Sequence, residues 1–337
     1  MTERTIKVMF TDLNRPFTLV NIHNLFEWRM ASKKYSLELS ENPDVLFYSC
    51  TGDEHLKYNC TRVFYTPENV RPNFNRCDYA FSFDYPVSER NYRLPFYRRL
   101  SEYKQLFRPR NPDYVLNQQR KFCSFMVSNS NAITRIEFFK KLSSYKNVDS
   151  GGRFLNNIGD PIQTGVENKL KWMNNYKFSI TFENSSYPGY TTEKLMHALI
   201  TDTIPIYWGN PLASLDFNPK AFINCHDYSS FDEVIELVKE IDRNDTLYKE
   251  YLNQPYLKDN METDFCREDN ILARYVEIIG SKKIFVSPFR KRLQRQLYYP
   301  IKWQKVGAKL MHKVVVYSKH AFFKTKEFIY FLRFLNR

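Results

Sequence analysis

Two basic side chains stand where the electrostatics of a helix should repel them. Lys194 follows Thr191-Thr192-Glu193 in the segment KFSITFENSSYPGYTTEKLMHALITDTIPIYWGNP (177–211). It falls in the first turn of a helix predicted by the apolar stripe Leu195, Ala198 and Leu199. Arg135 lies near the start of a second predicted helix, after the apolar run KFCSFMV (121–127) and the polar cluster Ser128-Asn129-Ser130-Asn131. The positive end of a helix macrodipole disfavours a cation by about 0.3 kcal/mol or more. A bound anion reverses that sign, because free N–H groups, dipole and cation then all point at it. Two such placements favour a pyrophosphate held between two cations, and the planar fork of Arg suits bidentate phosphate pairing. Taken singly, each has a plainer reading: Arg135 as a surface residue, Lys194 as a solvated lysine paired with Glu193 or a neighbouring carboxylate.

The elements that must position these residues are legible around them. Lys177–Phe182 is β-branched and aromatic, hence a strand; Glu183–Tyr190, rich in Ser, Asn, Pro and Gly, is a turn; Thr191 or Thr192 caps the helix. Ile204–Trp208 forms the next strand, stopped by Gly209-Asn210-Pro211. Strand, crossover helix and strand predict a parallel pair, whose ligands sit beyond the carboxyl ends of the strands. That places Asn184, Tyr190, Glu193 and Lys194 at the ligand mouth. The first part of the chain alternates in the same way: strands at Ile6–Phe10, Val45–Ser49, Arg62–Thr66 and Tyr79–Phe83, with a helix around Asn21–Met30. The class is therefore α/β, and 337 residues suit two domains. The basic, polar stretch Tyr97–Arg120 is the linker candidate. The expected division is residues 1–118, residues 119–286 and a basic tail, 287–337.

The stretch FENSSYPGYTTEKLMHALITDTIPIYWGNP resembles the signature of the glycosyltransferase family 10 fucosyltransferases, the α-1,3/4 type, in its bacterial branch. Further matches lie in order at RVFYTPENVRPNFNRCDYAFSFD (62–84), LPFY (94–97), FMVSNSNAITR (125–135), VDSGG (148–152) and NPKAFINCHDYSSFDE (218–233). The resemblance covers roughly residues 60–240 well, the first 60 loosely and the last 50 hardly at all. Thr191 departs from it, standing where the family usually has Val or Ile. The resemblance implies a GT-B fold, two Rossmann-like domains facing across a cleft, with the acceptor on the N-terminal one. It implies that Arg135 and Lys194 contact the diphosphate of GDP-fucose, that Glu193 binds donor hydroxyls, and that Asn184 and Tyr190 line the donor pocket. It also implies that Glu68 is the general base. From the residues alone Glu68 is a carboxylate in a Pro-Glu-Asn turn, a residue that is ordinarily solvated.

The implied reaction fits these residue types. Breaking the anomeric C–O bond builds negative charge on the leaving diphosphate, and preorganised cations bind that charge more strongly in the transition state than before it. A carboxylate takes the proton of the attacking hydroxyl. Direct displacement inverts the anomeric centre, moving L-fucose from GDP-β-L-fucose to the GlcNAc of an N-acetyllactosamine-type acceptor, as in Lewis x-like lipopolysaccharide glycans. An α-1,4 or dual linkage, or another nucleotide-sugar, stays open. No cofactor or divalent metal is required: the chain has no Asp-x-Asp pair, and its six His show no ligand-like spacing.

Charge is unevenly spread. Residues 287–337 carry thirteen Lys or Arg against the single acidic residue Glu327, nearly all of the formal net charge of +13. In that tail Lys319, Lys326, Arg333 and Arg337 share one helical face, while Tyr317, Phe328, Leu332 and Leu335 take the other. Such a helix reads as lying on an anionic bilayer, here the cytoplasmic face of the inner membrane. A solvated helix, or one packed back on a domain, is the plainer alternative. No stretch of the tail reaches the ~20 apolar residues of a membrane span, and the N-terminus lacks a signal peptide's apolar core. Six Cys without a CxxC pair suit free thiols in a reducing cytosol. A nucleic-acid-binding protein would explain the basic tail but not cations and hydroxyl-binding groups gathered at two helix starts. A non-catalytic membrane scaffold would not need Glu68, Arg135, Glu193 and Lys194 together.

Overall fold

The computed structural model describes residues 5–298 apart from 14–21, 129, 131 and 282. Two all-parallel sheets organise it. The first is built from β1 (Thr5–Thr11), β2 (Ser36–Leu39), β3 (Val45–Tyr48), β4 (Thr61–Tyr65), β5 (Tyr79–Ser82) and β6 (Asn91–Arg93), in the order β2-β1-β3-β4-β5-β6. The central strands β3 and β5 are buried at every position, as parallel strands covered on both faces must be. Helix α1 (Phe26–Ala31) contributes Phe26, Met30 and Ala31 to the same core.

The next segment, 96–120, is not an exposed tether. It holds the 3-10 turns Phe96–Arg99 and Ser101–Phe107 and the helix α2 (Pro112–Leu116), and it buries Tyr97, Tyr103 and Leu106. The second sheet follows, from β7 (Lys121–Phe125), β8 (Val148–Ser150), β9 (Tyr176–Ile180), β10 (Ile204–Tyr207) and β11 (Ile223–Asn224), in the order β11-β10-β9-β7-β8. Its helices are α3 (Ile133–Ser143), α4 (Val166–Met173), α5 (Glu193–Ile200), α6 (Phe231–Arg243) and α7 (Asp245–Leu252). The expected strand–helix–strand unit is present: β9 and β10 pair in parallel, Ile204 opposite Phe178, with α5 as the crossover. Every residue of α5 from Leu195 to Ile200 is buried, because the helix packs on the sheet and also under Tyr97, Tyr103 and Leu106 of the preceding segment.

After the second sheet the chain returns to the first. Helix α8 (Glu268–Gly280) places Ile271, Tyr275, Ile278 and Ile279 in the first sheet's core, and the Tyr275 ring stacks on Phe81 at 4.4 Å. A further helix, α9 (288–298), anchors there through Lys291, whose Nζ donates to Asp78 Oδ2 and to the Cys60 carbonyl, both at 2.7 Å. Arg62 Nη1 donates to Gln294 Oε1 at 2.6 Å. So the expected tail, through 298, packs on the body. The basic and aromatic faces around Lys319–Arg337 lie outside the described residues. All six Cys are free thiols.

Candidate active site

Because each sheet is parallel, the loops that leave its strands' carboxyl ends share one rim. The loop after β4 carries Glu68; the segments after β7 and β9 carry Arg135, Asn184 and Tyr190. These rims touch. Asn69 Nδ2 donates to Ser185 Oγ at 2.7 Å, and the Phe83 ring meets Tyr190 edge-on at 5.3 Å. A side chain at Gly189 would drive its Cβ to 2.3 Å from the Phe83 carbonyl, so glycine is what lets the two loops approach.

Lys194 stands in the first turn of α5, as expected, and it is paired. Its Nζ donates to Glu183 Oε2 and to Thr192 Oγ1, each at 2.8 Å, and lies 3.9 Å from Glu193 Oε1. Glu193 also faces Lys169 Nζ of α4 at 3.6 Å. The plainer reading of Lys194, a lysine beside a carboxylate, therefore holds for its contacts. The partner is the fully buried Glu183, which the sequence did not single out. Burial works against the Lys194 ammonium, but Glu183 and then Glu193 outweigh it and hold its pKa above the ordinary lysine value. Burial would likewise raise Glu193, yet Lys194 and Lys169 keep it far below the carboxylate range.

Thr192 occupies the N-cap position of α5 but makes no side-chain capping bond. Its hydroxyl is taken by Glu183, at 2.7 Å to Oε2, so the expected cap is diverted to the buried carboxylate. Thr191, the departure from the family pattern, finds polar partners: Asn210 Nδ2 donates to its Oγ1 at 3.0 Å. Asn210 Oδ1 also accepts the Gly189 N–H at 2.7 Å, tying the turn to the end of β10.

Arg135 is buried on α3, and its Nη1 donates to Asn184 Oδ1 at 3.0 Å. Burial lowers its pKa against the pull of Glu183. Tyr190 is buried at 2 % exposure rather than open to solvent; burial first, then Glu183, raises its hydroxyl, and Glu68 adds to the same effect. Glu68 is half-buried, its N–H donating to Thr66 Oγ1 at 3.0 Å. Among the described residues its carboxylate forms no hydrogen bond or ion pair.

One more group went unread in the sequence, and a second, His197, is the interior residue its place on the helix suggested. Lys169 carries no local signal, its role arising only when α4 packs beside α5. His197, one turn beyond Glu193, is buried with both ring nitrogens unpartnered among the described residues. Burial, then Lys169, pushes its pKa down to about 3. Glu183 had only a faint signal, a carboxylate directly after the strand-like stretch 177–182, where burial demands a partner. Among the described residues no cluster of His, Cys, Asp or Glu could hold a metal ion.

Residues 116–270 match the model of glycosyltransferase family 10 (fucosyltransferase) C-term, and residues 8–100 match that of the alpha-(1,3)-fucosyltransferase FucT N-terminal domain. The chain belongs to glycosyltransferase family 10. It is 36% identical over 261 residues to the alpha-(1,3)-fucosyltransferase FucT of Helicobacter pylori, covering 66% of this chain and 54% of that protein. To a putative fucosyltransferase of Acanthamoeba polyphaga mimivirus it is 26% identical over 307 residues, 84% of this chain and 50% of that one. It thus spans about half the length of these curated relatives. Among solved structures, an alpha1,3-fucosyltransferase with GDP-fucose superposes with a TM-score of 0.70 at 28% identity, over 85% of this chain and 94% of the other. One with GDP gives the same TM-score and identity over 84% and 93%.

Proposed function

We propose that this family 10 chain is an inverting hexosyltransferase that moves L-fucose from GDP-β-L-fucose to the GlcNAc of an N-acetyllactosamine-type acceptor in α-1,3 linkage. The observation that carries the reading is the junction of the rims. A carboxylate-bearing loop from the first sheet is hydrogen-bonded, through Asn69 and Ser185, to the loop that positions Asn184 and Tyr190 beside Arg135 and Lys194. The resemblance to an alpha1,3-fucosyltransferase seen with GDP-fucose supports the choice of donor.

In this mechanism the acceptor hydroxyl oxygen attacks the fucose anomeric carbon from the face opposite the diphosphate. The C–O bond to the diphosphate breaks and its electron pair leaves with GDP, while Glu68 takes the hydroxyl proton. Arg135 and Lys194 stabilise the charge growing on the leaving diphosphate, where preorganised donors act most strongly. Glu193 receives donor hydroxyls, Asn184 orients Arg135, and Tyr190 closes the pocket wall against Phe83. The first sheet's unit takes the acceptor and the second the donor, in a GT-B arrangement, without a divalent metal ion. The product would be a Lewis x-like glycan of lipopolysaccharide O-antigen, made by an enzyme held to the cytoplasmic face of the inner membrane by the basic residues beyond α9. No helix among the described residues is long and apolar enough to cross a membrane.

One radiolabelled transfer assay tests this. Several nucleotide-sugars, GDP-fucose included, are offered with type 1 and type 2 disaccharides, with and without EDTA. Label moved from GDP-fucose to the type 2 acceptor, unaffected by EDTA, is the expected result. Transfer from another donor, to type 1 alone, or not at all would overturn the donor, the linkage or the activity in turn.

A further inference from the structure

Glu183 is built into the site from several sides. Its backbone N–H donates to the Trp208 carbonyl at 2.8 Å, and a Cβ on Gly209 would lie 2.4 Å from its Cγ. Its side chain is fully buried. Oε1 accepts the Thr192 N–H at 2.7 Å, and Oε2 accepts the Thr192 hydroxyl at 2.7 Å and Lys194 Nζ at 2.8 Å. The charges then alternate along a row: Glu183, Lys194, Glu193, Lys169. That row is neutral, so before the donor arrives the pocket is not a bare cationic hole. An ammonium so enclosed, its side chain 22% exposed, would hold its proton less tightly without Glu183 beside it.

We infer that Glu183 is a positioning residue that serves as resident counter-ion to Lys194, holding the ammonium at the diphosphate position and balancing it between turnovers. The inference rests on reading Lys194 as a diphosphate ligand. On donor binding, Lys194 turns part of its hydrogen bonding from Glu183 to the phosphate oxygens; as GDP leaves, Glu183 takes it back. Because Glu183 also claims the Thr192 hydroxyl, the first-turn N–H groups of α5 are left for the incoming anion.

The groups facing Lys194 are Glu183 and Tyr190 from the loop after β9, Glu193 and His197 on α5, and Lys169 on α4; Arg135 on α3 faces Glu183. The test is GDP binding by calorimetry between about pH 7 and 9.5. Wild type should show only the pH dependence that GDP itself brings, its ammonium protonated throughout. In Glu183→Gln the ammonium keeps only Glu193, 3.9 Å away and shared with Lys169, so its titration moves down toward that window and affinity falls by up to about tenfold per pH unit above the new titration point. Adding Lys194→Arg should restore the wild-type profile, since a guanidinium does not titrate there. A Glu183→Gln profile parallel to wild type overturns the inference. If that variant does not fold, the wild-type Lys194 Nζ resonance, assigned with Lys194→Arg, decides: titration at or below the ordinary lysine value overturns it, and titration above it supports it. Lys194→Ala separates the two readings. Unchanged GDP binding removes the diphosphate reading and this inference with it. Lost binding beside a parallel Glu183→Gln profile removes the counter-ion alone.

Discussion

Glu68→Gln isolates the proton-transfer step. The loop holds Glu68 by backbone bonds, its own N–H to Thr66 Oγ1 at 3.0 Å and the Val70 N–H to its carbonyl at 2.7 Å. Neither involves the carboxylate, which has no partner among the described residues, so an amide of the same shape disturbs nothing around it. Stability should change by no more than about 0.5 kcal/mol, the usual range for a substitution away from structural contacts. GDP affinity should also stay, since Arg135, Lys194 and their partners lie on other elements. What disappears is the proton acceptor, and a positioned general base contributes about 10²–10⁴ in rate. Converted to a barrier, that is about 2.7–5.4 kcal/mol. Steady-state kcat for fucosyl transfer and calorimetric Kd for GDP, measured on one preparation, separate the terms. Turnover within about threefold of wild type would refute the base assignment, being far below the expected loss. A kcat loss matched by lost GDP binding would refute the claim that the loop acts only on the acceptor side.

The buried, unpartnered His197 gives stability a pH dependence. An imidazole held near pKa 3 takes up its proton only on unfolding, so the native state loses about 1.4 kcal/mol per pH unit as pH falls below the unfolded value of about 6.5. Urea midpoints at pH 7, 6 and 5 should show at least that slope, since His55 and His226 are also lowered by burial, and His197→Leu should reduce it; an unchanged slope would exclude His197 as a source. Lys291→Met should destabilise by about 3 kcal/mol, the lower end of the cost of breaking a buried pair. The lower end applies because Asp78 keeps the backbone N–H groups of Arg62, Phe285 and Val286; a loss under about 1 kcal/mol would show that α9 is not anchored there. Truncation after Tyr298, which spares that anchor, should abolish sedimentation with anionic vesicles while GDP binding persists. Retained vesicle binding would sink the proposed membrane role of the basic end.

How much of this was readable without coordinates depends on how local each signal is. The strands Val45–Tyr48 and Tyr79–Ser82 and the β9–α5–β10 unit announce themselves because continuous apolar runs sit beside turn residues. The edge strands β2 and β6 do not: β2 is exposed or half-exposed along its length, and β6 is three residues, Asn-Tyr-Arg. The placement of Lys194 at a helix start was legible. Its engagement with Glu183 was not, because the two are joined by how β9 and α5 meet rather than by spacing. Likewise the segment after Tyr97 reads as a linker by its charge. Its buried Tyr97 and Tyr103 reveal themselves only once α5 needs cover on its outer face.

The return of the chain to the first sheet bears on how this molecule could be divided. The polypeptide crosses from one sheet to the other before β7 and crosses back before α8, so the unit around the first sheet is assembled from both ends of the described chain. A fragment cut at residue 119 would carry α8 without its bed, presenting Ile271, Tyr275, Ile278 and Ile279 to water. The other fragment would lack the aromatic ring that stacks on Phe81. Neither half should survive expression alone, whereas co-expressed halves have a surface on which to find each other.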